Sequence, residues 1–253
     1  MTSTRGALVT IQQMMDKAQG ALHRNAWFEA ERLAARSLEL ARGTLDFALM
    51  ARITLPLQEA RRQRLQLAFD AAEEAGKLHL VQEPFGEDVR PEPGCYLVQP
   101  PLVGADARRL RLAAFEQETP IAVLCREPRT KLKLCPIVAI GQVTIRTKID
   151  PPSEWDRPTL AWFVSAMESL GDAAIETLDT GMSHLKQVDA LLARLDAWPD
   201  HEKLHQALAD ACRAAARDVA EGRPIDDEPT GEGLEALEVE EEAEEEAPAD
   251  EEE

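Results

Sequence analysis

The hydrophobic period of this chain changes twice along its length. From Leu8 to Ala75 apolar residues recur at helical spacing, after Gly76 they fall into short runs and alternations, and from Leu160 the helical spacing returns. A period of 3.6 suits a helix buried along one stripe, and a period of two suits a strand. The order helical, extended, helical therefore predicts an α+β fold with N-terminal helices, a small mixed sheet and C-terminal helices. The boundaries fall at 1–76, 77–150 and 151–221, the C-terminal helices packing on the α/β region.

Charge separates a fourth segment, 222–253. The chain has 253 residues and a formal net charge of -19, but 16 of its acids and no Lys or Arg lie between Asp226 and Glu253. The preceding 225 residues carry 31 acids against 28 bases, an ordinary globular balance. Gly222, Pro224, Pro229, Gly231 and Gly233 mark a linker into the acidic block. Such a block buries too little apolar surface to offset its ordering entropy and is expected to be a disordered tail. It is expected to act in solubility, to cover the chain's own basic 105–149 region, or to compete for a basic partner. Direct nucleic-acid binding is not expected at this net charge with so few aromatics.

No apolar run is long enough to span a membrane and the first sixteen residues lack a continuous signal-peptide core, which predicts a cytoplasmic protein. Cys95, Cys125, Cys135 and Cys212 show no C-x-x-C spacing and read as reduced core residues, with a Cys125–Cys135 pair on neighbouring strands as the alternative.

In the N-terminal region Leu8, Ile11, Met15, Ala18 and Leu22 form one stripe. Ala26, Trp27, Ala30, Leu33, Ser37, Leu38 and Ala41 form another, predicting two antiparallel helices that meet near His23 to Asn25. The second helix, Asn25-Ala26-Trp27-Phe28-Glu29-Ala30-Glu31-Arg32-Leu33-Ala34 continuing to Leu40, resembles the tetratricopeptide repeat. The resemblance rests on an aromatic at Trp27, small residues at Ala30 and Ser37, and Leu38. It covers about residues 8–42, with a degenerate continuation to 75, and implies a helical hairpin that presents a surface to a partner protein. A third helix runs through Leu45, Leu49, Ile53, Leu57, Ala60 and Ala68 to a stop at Gly76, with a kink or break expected near Thr54 because Pro56 lacks an amide donor. Its Arg61-Arg62-Gln63-Arg64 cluster suits either an anion or a solvated face.

Strands are expected at 78–82, 95–99, 120–125, 134–140 and 143–149, the last two joined by a turn at Gly141-Gln142. An amphipathic helix through Leu110 and Ala114 lies between the second and third strands, so these form a βαβ crossover and a parallel pair. In open α/β sheets ligands sit beyond the carboxyl ends of parallel strands, which places an anion site at Gln99, Gly104, Arg126, Arg129 and Lys131. Nine bases against four acids between Ala105 and Ile149 favour a phosphate or carboxylate there. No Gly-x-x-x-x-Gly-Lys phosphate loop is present, and the one Gly-x-Gly-x-x-Ala, at 231–236, lies in the acidic block without a preceding strand.

Three C-terminal helices are predicted through Leu160–Leu178, Leu185–Leu195 and Leu204–Val219. Asp200 is the expected cap of the last of these. His201-Glu202-Lys203-Leu204-His205 resembles the zincin signature, in which two histidines bind zinc and the glutamate is a general base. No third ligand follows it, and the second Glu-x-x-His of a di-iron bundle is missing. The leading expectation is a non-catalytic interaction or adaptor protein without a cofactor. An anion-binding α/β domain with possible enzymatic activity is the alternative, and a zinc hydrolase through His201, Glu202 and His205 a distant one.

Overall fold

The computed structural model describes residues 2–86 and 88–223. The acidic block from Asp226, its expected disorder and its expected contact with the basic region lie outside the described residues.

Helices α1 (Thr2–His23), α2 (Trp27–Gly43) and α3 (Phe47–Ala75) pack on one another as successive antiparallel hairpins. The α1–α2 turn passes through Asn25 at φ 59, and the α2–α3 turn through Leu45 at φ 57, so Leu45 lies in the turn and not on the third helix as expected. Asp46 caps α3 by accepting from the Leu49 N–H at 2.9 Å. Ala21, Ala30 and Ala60 meet where the three helices come closest, and Ser37 is fully enclosed, its hydroxyl donating to the Leu33 carbonyl. Small residues at these points let the backbones approach, so the packing is compatible with a helical hairpin repeat. Of the kink or break expected near Thr54, the break does not occur: α3 continues through Pro56 as one helix of 29 residues. Ile53, Thr54, Pro56 and Leu57 are all buried, and that packing outweighs the loss of one helical hydrogen bond. Gly76 closes the helix in the left-handed region at φ 63.

The sheet has five strands in the order β1 (His79–Val81), β2 (Gly94–Val98), β3 (Ile121–Arg126), β4 (Cys135–Ile140) and β5 (Thr144–Ile149). The β1–β2 and β2–β3 pairs are parallel, and the β3–β4 and β4–β5 pairs antiparallel. Helix α4 (Gly104–Glu116) is the crossover between β2 and β3. Alternation along the strands separates two faces. Tyr96, Val98, Val123, Cys125 and Val138 pack on Leu110 and Ala114 of α4. Cys95, Leu97, Ala122, Leu124 and Ile137 join a core with α1–α3 and with α5 (Leu160–Glu176), α6 (His184–Ala197) and α7 (Glu202–Ala220). Gly104 belongs to the packing of the α4 face, since a Cβ there would stand 2.8 Å from Ile140. All four cysteines are buried and free, and burial pushes the Cys95, Cys125 and Cys212 thiols up to about 12.

Thr159 caps α5, accepting from the Trp162 N–H. Helix α7 starts one residue later than expected, with His201 rather than Asp200 at the N-cap. The Asp200 carboxylate instead accepts from Arg64 at 2.6 Å, and that contact takes it away from the capping position. Gly171 on α5 lies directly under the His201 ring, where a Cβ would stand 2.1 Å from the imidazole carbons. Gly171→Ala gains about 1 kcal/mol of helix propensity, but overpacking against a buried ring costs about 1–3 kcal/mol. The expected net result is a fall in urea midpoint, and an unchanged or higher midpoint would mean that His201 leaves its place at little cost.

Among the described residues no helix is long and apolar enough to cross a membrane.

Candidate anion-binding cleft

Two charged residues interrupt the buried stripes of the N-terminal helices. Glu31 is buried on α2, among Ala30, Ala34 and Leu38. Arg64 is buried on α3, four residues from Ala60 and four from Ala68. A charge enters such an interior only with partners, and these two are partners. The Arg64 Nε donates to Glu31 at 3.0 Å, its Nη2 to Asp200 at 2.6 Å and its Nη1 to the Ile121 carbonyl at 3.3 Å. Arg61, one turn earlier, donates to the other Glu31 oxygen at 2.8 Å. Burial works against the charge of Arg64, but Asp200 and Glu31 outweigh it and hold the guanidinium above its ordinary range. Burial likewise opposes the Glu31 carboxylate, and Arg64 and Arg61 outweigh it, holding its pKa below the usual carboxylate range.

This network forms the floor of a cleft of about 310 Å³ between α2, α3, α4 and the end of α6. Ala35, Leu112, Phe115 and Leu195 supply its apolar walls. At the rim Arg32 pairs with Glu118 at 2.7 Å and Arg36 with Glu39 at 3.4 Å. At the α6 end Arg108 grips Asp196 through both guanidinium nitrogens, at 2.7 and 2.9 Å, and the Gln142 N–H donates to the same carboxylate.

Arg111 differs from these. Its side chain projects from α4 into the cleft, and its one hydrogen bond among the described residues runs from Nη2 to the Asp196 carbonyl, at 2.9 Å. No carboxylate of the described residues lies within ion-pair distance of it. Burial pushes its guanidinium down to about 10, Asp200 opposing and Arg61, Arg64 and Arg108 adding to the push, so it is still a cation at neutral pH. The floor, with Asp200 behind Arg64, therefore sets three guanidiniums, Arg61, Arg64 and Arg111, against two carboxylates, Glu31 and Asp200.

The residues expected at the carboxyl end of the parallel strands are distributed differently. Gln99 and Arg126 do come together: the Arg126 Nε donates to Gln99 Oε1 at 2.7 Å, its Nη2 donates to the same oxygen, and its Nη1 donates to the Trp155 carbonyl at 2.9 Å. The Trp155 ring stacks 3.8 Å over the guanidinium, and Arg126 is fully enclosed. Arg129 lies against the same indole at 4.1 Å but is exposed, and Lys131 is exposed on the loop beyond it. The cleft lies at the opposite end of the strand, where Arg64 meets Ile121, the first residue of β3.

His201, Glu202 and His205 are placed by the same network. His201 is the non-helical N-cap of α7, at φ -112 and ψ 116, so the two histidines are not a helical i, i+4 pair. Its Nε2 lies 3.4 Å from both Glu168 and Asp172 of α5. The His205 Nδ1 bonds to the His201 carbonyl at 3.0 Å and its Nε2 meets Arg61 at 3.2 Å. A carbonyl accepts only and a guanidinium donates only, so the ring is neutral with its proton on Nδ1. Burial, with Arg61 adding, pushes its pKa down to about 3. Glu202 is exposed, 3.9 Å from Arg62. Among the described residues no group of three or more His, Cys, Asp or Glu is placed to hold a metal.

Sequence reasoning had the Arg61–Arg64 cluster and counted Arg111 in the basic excess, but it missed Glu31 and Asp200. Glu31 left a signal, a carboxylate on an apolar stripe, and Arg64 fills the gap in the α3 stripe between Ala60 and Ala68. No protein-family model, curated protein or solved structure matches the chain.

Proposed function

We propose that this is a non-catalytic interaction protein that binds acidic polypeptide segments of a partner in the arginine-lined cleft. The tetratricopeptide-like hairpins α1–α3 form the platform and α4 the opposing wall. The cytoplasm, where its four thiols stay reduced, is the compartment proposed with it. The observation that carries the reading is Arg111, a desolvated cation with a backbone carbonyl as its one partner and apolar walls beside it. A half-buried guanidinium without a carboxylate is costly to hold, and a ligand carboxylate both neutralises it and matches its planar fork. The walls suit the methylene stems and apolar neighbours of an acidic peptide.

The test is fluorescence polarisation of fluorescein-labelled hexaglutamate titrated into the full chain at low ionic strength. A charged hydrogen bond is worth about 1.5–3 kcal/mol, so Arg111→Met is expected to weaken binding by about 10- to 100-fold. Arg109→Gln, on the outer side of α4, is expected to change nothing. Binding that survives Arg111→Met overturns the proposal.

A further inference from the structure

We infer that the chain's own acidic segment, residues 226–253, occupies this cleft and that an external acidic ligand must displace it. The inference rests on the reading of the cleft as a carboxylate site. Three observations favour that occupant.

The first is charge. Arg32, Arg36, Arg61, Arg64 and Arg108 each face a carboxylate of the described residues, so the cleft lacks one negative charge, the one opposite Arg111. A single carboxylate restores the balance, whereas a phosphate dianion would add excess negative charge beside Glu31, Glu39 and Asp196. The second is composition. Leu234, Leu237 and Val239 alternate with Glu235, Glu238 and Glu240, which places apolar side chains next to carboxylates as the mixed walls require.

The third is reach. Asp200, just before α7, touches Arg64 at the cleft floor, and the 19 residues of α7 carry the chain about 28 Å away. Residues 221–237 span up to about 55 Å when extended, so Glu238 and Val239 return to the cleft with slack. A tethered segment acts at an effective concentration on the order of millimolar, so an intrinsic dissociation constant in the millimolar range, from the carboxylate contact and the apolar side chains beside it together, suffices for occupancy. The exposed Arg129, Lys131 and Lys133 on the β3–β4 loop are the competing basic surface. Exposed cations there gain little from pairing, in contrast to Arg111.

The experiment places p-benzoylphenylalanine at position 239 of the full chain, irradiates dilute protein and maps the cross-links by mass spectrometry. Intramolecular cross-links to the α2 and α4 peptides that carry Ala35 and Leu112 are expected, with a yield at least fivefold lower in Arg111→Met. Cross-links on the 129–133 loop, cross-links only between molecules, or a yield indifferent to Arg111→Met overturn the inference. If hexaglutamate binding still depends on Arg111 in any of those cases, self-occupancy alone fails. If that dependence is lost too, the carboxylate reading fails with it.

Discussion

An Arg64→Met chain is expected to lose about 3–5 kcal/mol of unfolding free energy, read as a lower urea midpoint at an unchanged slope. Methionine fills much of the arginine volume, so the loss is electrostatic. It leaves Asp200, whose side chain is 3% exposed, without its 2.6 Å partner, and the Ile121 carbonyl without a donor. Glu31 keeps Arg61 and contributes less to the loss. Arg24→Met, which breaks a pair whose side chains are 61% and 48% exposed, is the control and is expected to change stability by about 0–1 kcal/mol. An Arg64→Met loss no larger than the control's would mean that water, and not the network, solvates Asp200. Replacing Glu31, Arg61, Arg64 and Asp200 together with apolar residues is a different experiment: removing a whole buried network is often neutral. If that chain folds well but no longer binds hexaglutamate, the network serves the cleft more than the fold.

Much of the architecture can be read from local signals because local physics sets it. The change of period at Gly76 marks the end of α3, and the run expected as a strand at 143–149 forms β5 with one wet face. The βαβ crossover follows from the order of elements, and β2 and β3 do pair in parallel. What is not legible depends on residues far apart in sequence. Arg64 and Asp200 are separated by 136 positions, and nothing local to either reports the other. Pro56 reads as a break because its effect on hydrogen bonding is local, while the packing that keeps α3 helical through it comes from the tertiary core. The expectation of a site at the carboxyl end of the strands is a regularity of sheet topology. In this chain Trp155 covers that end, and helices from both termini enclose a cleft at the other.

Acid sensitivity follows from the same network and carries a definite sign. His205 is neutral in the folded chain, with a pKa pushed down to about 3 by burial and by Arg61, while in the unfolded chain it returns to its ordinary value near 6.5. Below pH 6.5 the unfolded state therefore takes up a proton that the folded state refuses, so stability falls with pH until the folded pKa is reached. The slope for one group approaches about 1.4 kcal/mol per pH unit, which amounts to a loss of about 2.3 kcal/mol between pH 6.5 and 4.5. His201, whose pKa burial also lowers, adds a loss of the same sign. Glu31 works in the same direction at lower pH: its pKa is held down in the fold, so its contribution is complete above the unfolded value of 4.5 and is lost as pH falls through the folded one. His205→Gln keeps an acceptor for Arg61 and removes the titration. Urea denaturation from pH 7 to 4.5 is expected to show a slope about one proton shallower for His205→Gln than for the wild type. Equal slopes would mean that His205 already carries a proton in the folded protein, which would turn the Arg61 contact into a repulsion and remove the neutral wall beside the cleft floor.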